Sequence, residues 1–167
     1  MPIYHSLGKI PKKRHTQFNK TNGSLYHEEL FGTIGFEGMS SLLYHEHPPT
    51  QVKKINKSIN VIPKIAVEKN ITSRKLIGFD VLPEDDFLKS RQTLLVNNNI
   101  HIGLAAPKKS MENYFYKNSD ADEMLFIHKG QGILKTFLGN ISFVEGDYLI
   151  IPRGMIYQIE FEKQDNR

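Results

Sequence analysis

Cysteine is absent from all 167 residues, and so is tryptophan. Without cysteine the chain has no disulfides, no thiolate metal ligands and no cysteine nucleophile. Long apolar runs are missing too, and none approaches the roughly 20 residues that a membrane helix needs. The opening MPIYHSLGKIPKKRH lacks the apolar core of a secretory leader. Also missing are internal repeats, a Ser/His/Asp arrangement and a dinucleotide fingerprint. The glycine-rich GTIGFEG at 32–38 has no strand before it and no helix after it, so it does not read as a phosphate loop. These absences point to a cytoplasmic protein of single-domain length with no membrane partner.

Basic residues outnumber acidic ones 22 to 18, for a formal net charge of +4. Lys9, Lys12, Lys13, Arg14 and His15 form one cluster, and Lys53, Lys54, Lys57, Lys64, Lys69, Arg74 and Lys75 a looser second one. No RNA- or DNA-binding motif accompanies either cluster. They read as a solvated face or a packing arm, and no nucleic-acid partner is expected.

Turn signals and apolar patterning divide the chain in two. Residues 1–58 read as an N-terminal extension with short strands. It is irregular to about residue 30; glycines 32, 35 and 38 then break any long helix, and SLLYHEH forms a strand that Pro48 and Pro49 stop. Residues 59–167 read as strand after strand. SINVIPKIAVE and KLIGFDVLP are apolar and β-branched, while TLLV and IHIGLAA flank the turn Asn97-Asn98-Asn99. PEDDFLKSR at 83–91 predicts a short helical turn, its acidic start suiting the helix dipole. EMLFIH, ILKTFL, ISFV, YLII and MIYQIEF follow, separated by Lys129–Gly132, a two-residue turn at Gly139-Asn140, Glu145–Asp147 and Pro152–Gly154. Short strands punctuated by glycine turns predict an all-β sandwich or barrel.

The most informative stretch is NSDADEMLFIHKGQG, 118–132, taken with Gly146, Pro152, Gly154 and Tyr157. It resembles the two signature motifs of the cupins, small jelly-roll barrels. The first cupin motif has two histidines one residue apart, then a glutamate and an apolar strand ending in glycine. The second has glycine, five residues, Pro-x-Gly, then a histidine three positions on. Alternate residues on a strand share a face, so a His-x-His pair sends both imidazoles inward to meet a third. Such a set with a carboxylate suits Fe(II) or similar ions. Here Glu123 fits the carboxylate, but Tyr116, Lys117, Asn118 and Ser119 precede it, and Tyr157 stands at the later histidine position. Met155, Tyr157, Ile159 and Phe161 share one face, and Glu123, Leu125 and Ile127 another, which predicts an interior filled with side chains and a degenerate, metal-free fold. The alternative is an odd ligand set that includes Glu123 and Tyr157. Asn118, Asp120 and Asp122 mimic the start of a calcium loop, but Glu123 and Lys129 occupy the positions that need glycine and glutamate; a polar turn is the better reading.

A narrower resemblance covers nearly the whole chain. MPIYHSLGKIPKKRHTQF, GSLYHEELFGTIGFEGMSSLLYHEHPP and NYFYKNSDADEMLFIHKGQG are similar to the N-terminal half of bacterial homogentisate 1,2-dioxygenases. That resemblance implies a cupin-like fold and trimers that pair into hexamers. It also implies cleavage of an aromatic ring with O2 in tyrosine and phenylalanine catabolism, at an Fe(II) held by two histidines and a glutamate. Those ligands belong to the family's C-terminal half, so none maps onto a residue here. The resemblance thus implies no catalytic or cofactor-binding residue in this chain, no iron on it, inactivity alone, and its own C-terminal domain as a partner. MIYQIEFEK stops without a finishing turn or cap, which fits an N-terminal piece. The other function class is a free-standing non-catalytic cupin for small-molecule binding or assembly.

Other residues are weaker candidates. His45 and His47 form a His-x-His on a predicted strand, without an evident third ligand. His101 and His128 read as exposed strand histidines, and His5, His15 and His27 fall in the irregular N-terminal region. Tyr114, Phe115 and Tyr116 form an aromatic run that suits core packing better than a wall for a phenolic ligand.

Overall fold

A computed structural model describes residues 17–167 apart from 59, 61, 68, 69 and 71. Among the described residues there are ten strands, a single 3-10 turn at Gly78–Asp80 and no α-helix. The fold is all-β, as the glycine-punctuated pattern predicts, and cupin-like, as the motif resemblance implies. The chain divides into two compact units on either side of Asn60.

In the first unit, β1 (His27–Ile34) pairs antiparallel with β2 (Glu37–His45). The glycines at 32, 35 and 38 that argue against a helix here build this hairpin. Gly35 takes φ +56° in the closing turn, and a Cβ on Gly32 would lie 2.2 Å from the Gly35 carbonyl oxygen, at the irregularity in the register. Two expectations are corrected. Order begins before residue 30, because β1 starts at His27. The second strand starts at Glu37 and ends at His45, leaving Glu46 and His47 outside it. Paired prolines at 48 and 49 cannot continue a ladder, so the pairing stops short of them.

The second unit carries the remaining strands. β3 (Gln92–Val96) and β4 (His101–Leu104) form one hairpin. Its turn is fixed by Asn97, whose Oδ1 accepts the N–H groups of Asn99 and Ile100, each at 2.8 Å. Then come β5 (Tyr116–Lys117), β6 (Glu123–Phe126), β7 (Gly132–Thr136), β8 (Gly139–Phe143), β9 (Tyr148–Ile151) and β10 (Ile156–Phe161). The order β5-β10-β7-β8 makes one sheet, and β6 pairs with β9 in a second. The described strands form open sheets, not a ring of hydrogen-bonded neighbours. Leu134, Phe143, Leu149, Ile151, Tyr157 and Ile159 are buried in this unit.

Three local expectations differ from the structure. The turn between β7 and β8 is Phe137-Leu138, not Gly139-Asn140. Thr136 Oγ1 accepts the Leu138 N–H and donates to the Gly139 carbonyl, so the ladder resumes at Gly139. The apolar stretches SINVIPKIAVE and KLIGFDVLP form no strand among their described residues. Residues 59, 61, 68, 69 and 71 lie outside the description. Ile62, Ile65, Val67, Leu76 and Ile77 are exposed, and β-branched composition produces a strand only where a partner strand and a packing surface meet it. Finally, the segment after β10 does not stop uncapped. The chain turns back, and Arg167 exchanges backbone hydrogen bonds with Lys129. The buried Asn166 donates to the carbonyls of Pro107 and Lys163.

The 83–91 segment does make a single turn: the Ser90 N–H reaches the Asp86 carbonyl at 2.9 Å. Asp86 Oδ1 also accepts the Lys89 N–H, as a capping side chain does. This turn ends at Arg91, the residue before β3.

Candidate functional site

The side chains that matter sit where the turn ending at Arg91 meets β6, β5 and β10. Alternation along β6 sends Glu123 and Leu125 to one face and Met124 and Phe126 to the exposed other. Alternation along β10 sends Tyr157 and Ile159 inward, at 0 % and 1 % exposure. Glu123 and Tyr157, the positions left from the cupin motifs, therefore meet. The Tyr157 hydroxyl donates to Glu123 Oε2 at 2.8 Å. Arg91 Nη1 donates to Glu123 Oε1 at 2.9 Å. The Glu123 side chain is only 9 % exposed, so both carboxylate oxygens are held in a largely dry setting.

Aromatic rings complete the cluster. The Arg91 guanidinium carbon lies 5.3 Å from the Phe87 ring centroid and 5.9 Å from that of Tyr116. Tyr116 meets Tyr157 edge-on, with centroids 5.5 Å apart. Burial, then the neighbouring Glu123 carboxylate, push the Tyr157 phenol well above its ordinary pKa. Burial likewise raises Tyr116. Tyr157 thus serves Glu123 as a neutral hydrogen-bond donor across the physiological range.

This geometry does not fit an iron ion. The carboxylate that a metal would need is shared between a guanidinium and a phenol, and among the described residues no imidazole is grouped with it to hold a metal. Among the described residues there is no group of three or more His, Cys, Asp or Glu side chains placed to hold a metal. The neighbouring Asn118–Asp122 segment is a polar turn. Asn118 Oδ1 accepts the N–H groups of Asp120 and Ala121, and Asp122 Oδ1 accepts that of Arg153.

The other histidine candidates are dispersed. His45, at the end of β2, bonds through Nε2 to Glu29 Oε2 of β1 at 2.7 Å. His47 lies beyond the strand, so the two do not share the strand face that the His-x-His spacing suggests. His101 and His128 are exposed, and His128 packs edge-on against Phe79. His27 lies in β1, not in an irregular region. His5 and His15 lie outside the described residues, as does the first basic cluster. The aromatic run divides its roles: Tyr114 donates to Asp86 Oδ2 at 2.7 Å, Phe115 is exposed and Tyr116 packs on Tyr157. A separate concavity of about 400 Å³ in the first unit is lined by Phe18, Tyr26 and Tyr44, with His27 and Glu28 also on its wall.

Arg91 and Asp86 are the residues that sequence reasoning missed. Arg91 is separated from Glu123 by 32 positions, and no periodicity links them. The one signal is a carboxylate at the cupin motif position without the motif's histidines: such a group needs another cation, and Arg91 closes the acidic 83–91 segment that leads into β3.

Residues 8–167 match the family described as Homogentisate 1,2-dioxygenase N-terminal. The chain is 38% identical over 164 residues to a Saccharolobus solfataricus protein named "Putative dioxygenase SSO1533". That alignment covers 98% of this chain but 42% of the relative, so the chain spans less than half the length of the protein it matches. The chain belongs to the homogentisate 1,2-dioxygenase N-terminal family.

Proposed function

We propose that this chain is the N-terminal domain of a dioxygenase that opens the ring of homogentisate with O2, in tyrosine and phenylalanine catabolism in the cytoplasm. The observation that carries the reading is the family match over residues 8–167. The Arg91–Glu123–Tyr157 cluster bears on where the chemistry lies. It leaves no free carboxylate at the cupin metal position, so the catalytic ligands are expected in a C-terminal domain that pairs with this one. Fe(II) bound there would supply adjacent open positions at which the aromatic substrate and O2 are activated. The domain described here would contribute a scaffold and, in the family's manner, a share of a trimer or hexamer. No catalytic, cofactor-binding or metal-binding role is proposed for its residues.

The second reading is a free-standing non-catalytic cupin for small-molecule binding or assembly. The exposed apolar residues of β6 and β9 favour its assembly form, since the interior of that unit is occupied by side chains. One experiment separates the two readings. The native gene product is sized in its source cells, and both it and the 167-residue chain are loaded with Fe(II) and given homogentisate and O2. The proposal expects a product more than twice the 19.2 kDa of this chain, with oxygen uptake by that product and none by the chain alone. A 19.2 kDa native product, or turnover by the isolated chain, would overturn it.

A further inference from the structure

The poor fit of the Glu123 position to iron has a specific physical counterpart. We infer that Glu123, Phe87 and Tyr116 form a guanidinium site inside this unit, occupied by the chain's own Arg91, which takes the electrostatic place that a metal cation holds in a metal-bearing cupin. The inference concerns this unit alone and stands whether or not the longer protein cleaves homogentisate.

Three observations carry it. Glu123 is nearly buried, and its two oxygens are each engaged, one by Arg91 Nη1 at 2.9 Å and the other by the Tyr157 hydroxyl at 2.8 Å. Removing the positive partner would leave that carboxylate destabilising, to a degree that solvent moderates because the Arg91 side chain is 37 % exposed. Second, the guanidinium lies near two ring faces, Phe87 at 5.3 Å and Tyr116 at 5.9 Å. Ring faces suit a flat, weakly hydrated cation, whereas a small divalent ion keeps its waters or takes oxygen and nitrogen donors. Third, Tyr157 stands where the cupin motif has its later histidine. It supplies a neutral O–H that only the carboxylate accepts. Tyrosine there adds a donor to Glu123, where a neutral histidine would have supplied a ligand to a metal. The cluster is therefore complete with a guanidinium and has no use for a metal. Arg91 is also the residue that leads into β3, so the site ties that segment to β6 and β10.

The test is chemical rescue. Arg91→Ala is expected to lower the thermal midpoint and to open a site for a small guanidinium ion. Methylguanidinium chloride in the millimolar range should then bind at one-to-one stoichiometry and recover part of the lost midpoint. Methylammonium or sodium chloride at equal ionic strength should not. Wild type and the double variant Arg91→Ala/Glu123→Gln should show no such binding. The inference is overturned if methylguanidinium neither binds nor rescues, or if Zn(II) or Fe(II) restores Arg91→Ala at least as well, which would make the cluster a masked metal site. Should Arg91→Ala fail to fold, Arg91→Lys carries the test, because an ammonium keeps the charge and loses the planar fork. A midpoint below wild type is expected. One equal to wild type would mean that any positive charge suffices, and the guanidinium site would fall.

Discussion

Asp86 is a carboxylate 2 % exposed to solvent and held by several donors at once. The Tyr114 hydroxyl reaches it at 2.7 Å, the Lys89 ammonium at 2.9 Å and the Lys89 N–H at 3.1 Å. Burial opposes its ionisation, but these hydrogen bonds outweigh burial and hold the carboxyl below its ordinary value of 3.8. Because the folded value is the lower one, the stabilisation is fully present above the unfolded value and is lost as pH falls through the folded value. Asp86→Asn is expected to cost about 2 kcal/mol at neutral pH. The gap between the wild-type and variant urea midpoints should narrow as pH falls below 3.8 and through the folded value, and a gap that stays constant through that fall would refute the assignment. Lys89 is more than half exposed, so its share is screened and the loss should follow Tyr114 and the backbone. Tyr157→Phe removes one donor from a nearly buried carboxylate and is expected to cost about 1–3 kcal/mol, read from the same urea titration. These two residues differ in how far the sequence exposes them. Strand alternation alone turns Tyr157 inward and places Glu123 on the matching face. Nothing in the local pattern shows that Asp86 is buried or that Arg91 reaches Glu123, because both depend on chain segments brought together only by the fold.

At the level of elements, the hairpins were legible wherever two signals coincided. Alternation of apolar and polar residues and a glycine or asparagine turn together mark 92–104 and 123–161, and the turn residues fix the register. Where one signal stood alone the reading failed. The apolar stretches between 58 and 82 have β-branched residues but, among their described residues, no partner strand, and β1 has a partner but no clean alternation in HEELFGTI. Gly139-Asn140 carries a turn signal, but Thr136 places the turn one pair earlier. Gly132 shows what a glycine can mean inside a strand. It pairs with Phe161 of β10 and Phe143 of β8, and a Cβ there would lie 1.9 Å from the Glu160 carbonyl oxygen and 3.0 Å from the Phe143 ring. The obstacle on one side is backbone at the centre of a four-stranded sheet, so it cannot move cheaply. Gly132→Ala is expected to cost about 3 kcal/mol, the upper part of the range for overpacking. A urea midpoint within error of wild type would show that β7 and β10 can separate without penalty.

The whole molecule is set apart by the apolar surface it leaves open. In β6 and β9 the inward face carries Glu123, Leu125, Leu149 and Ile151, while Met124, Phe126, Tyr148 and Ile150 point outward at 47–71 % exposure. These four are neighbours: Met124 is opposite Ile150 and Phe126 is opposite Tyr148, with the two rings 4.8 Å apart. An amphipathic two-stranded ribbon normally puts polar residues on its solvent side, so four adjacent large apolar side chains form a surface that water disfavours. The isolated chain is therefore expected to associate with itself as its concentration rises, whichever functional reading holds. Met124→Lys together with Ile150→Glu places opposite charges on one cross-strand pair, where their attraction offsets the loss of β-favouring side chains. The double variant should sediment as a smaller species than wild type at equal concentration, with an unchanged far-UV spectrum. Association undiminished in a folded double variant would move the responsible surface elsewhere. Association abolished would mark this ribbon as the face through which the chain meets other protein, and would give the assembly reading a surface on which to act.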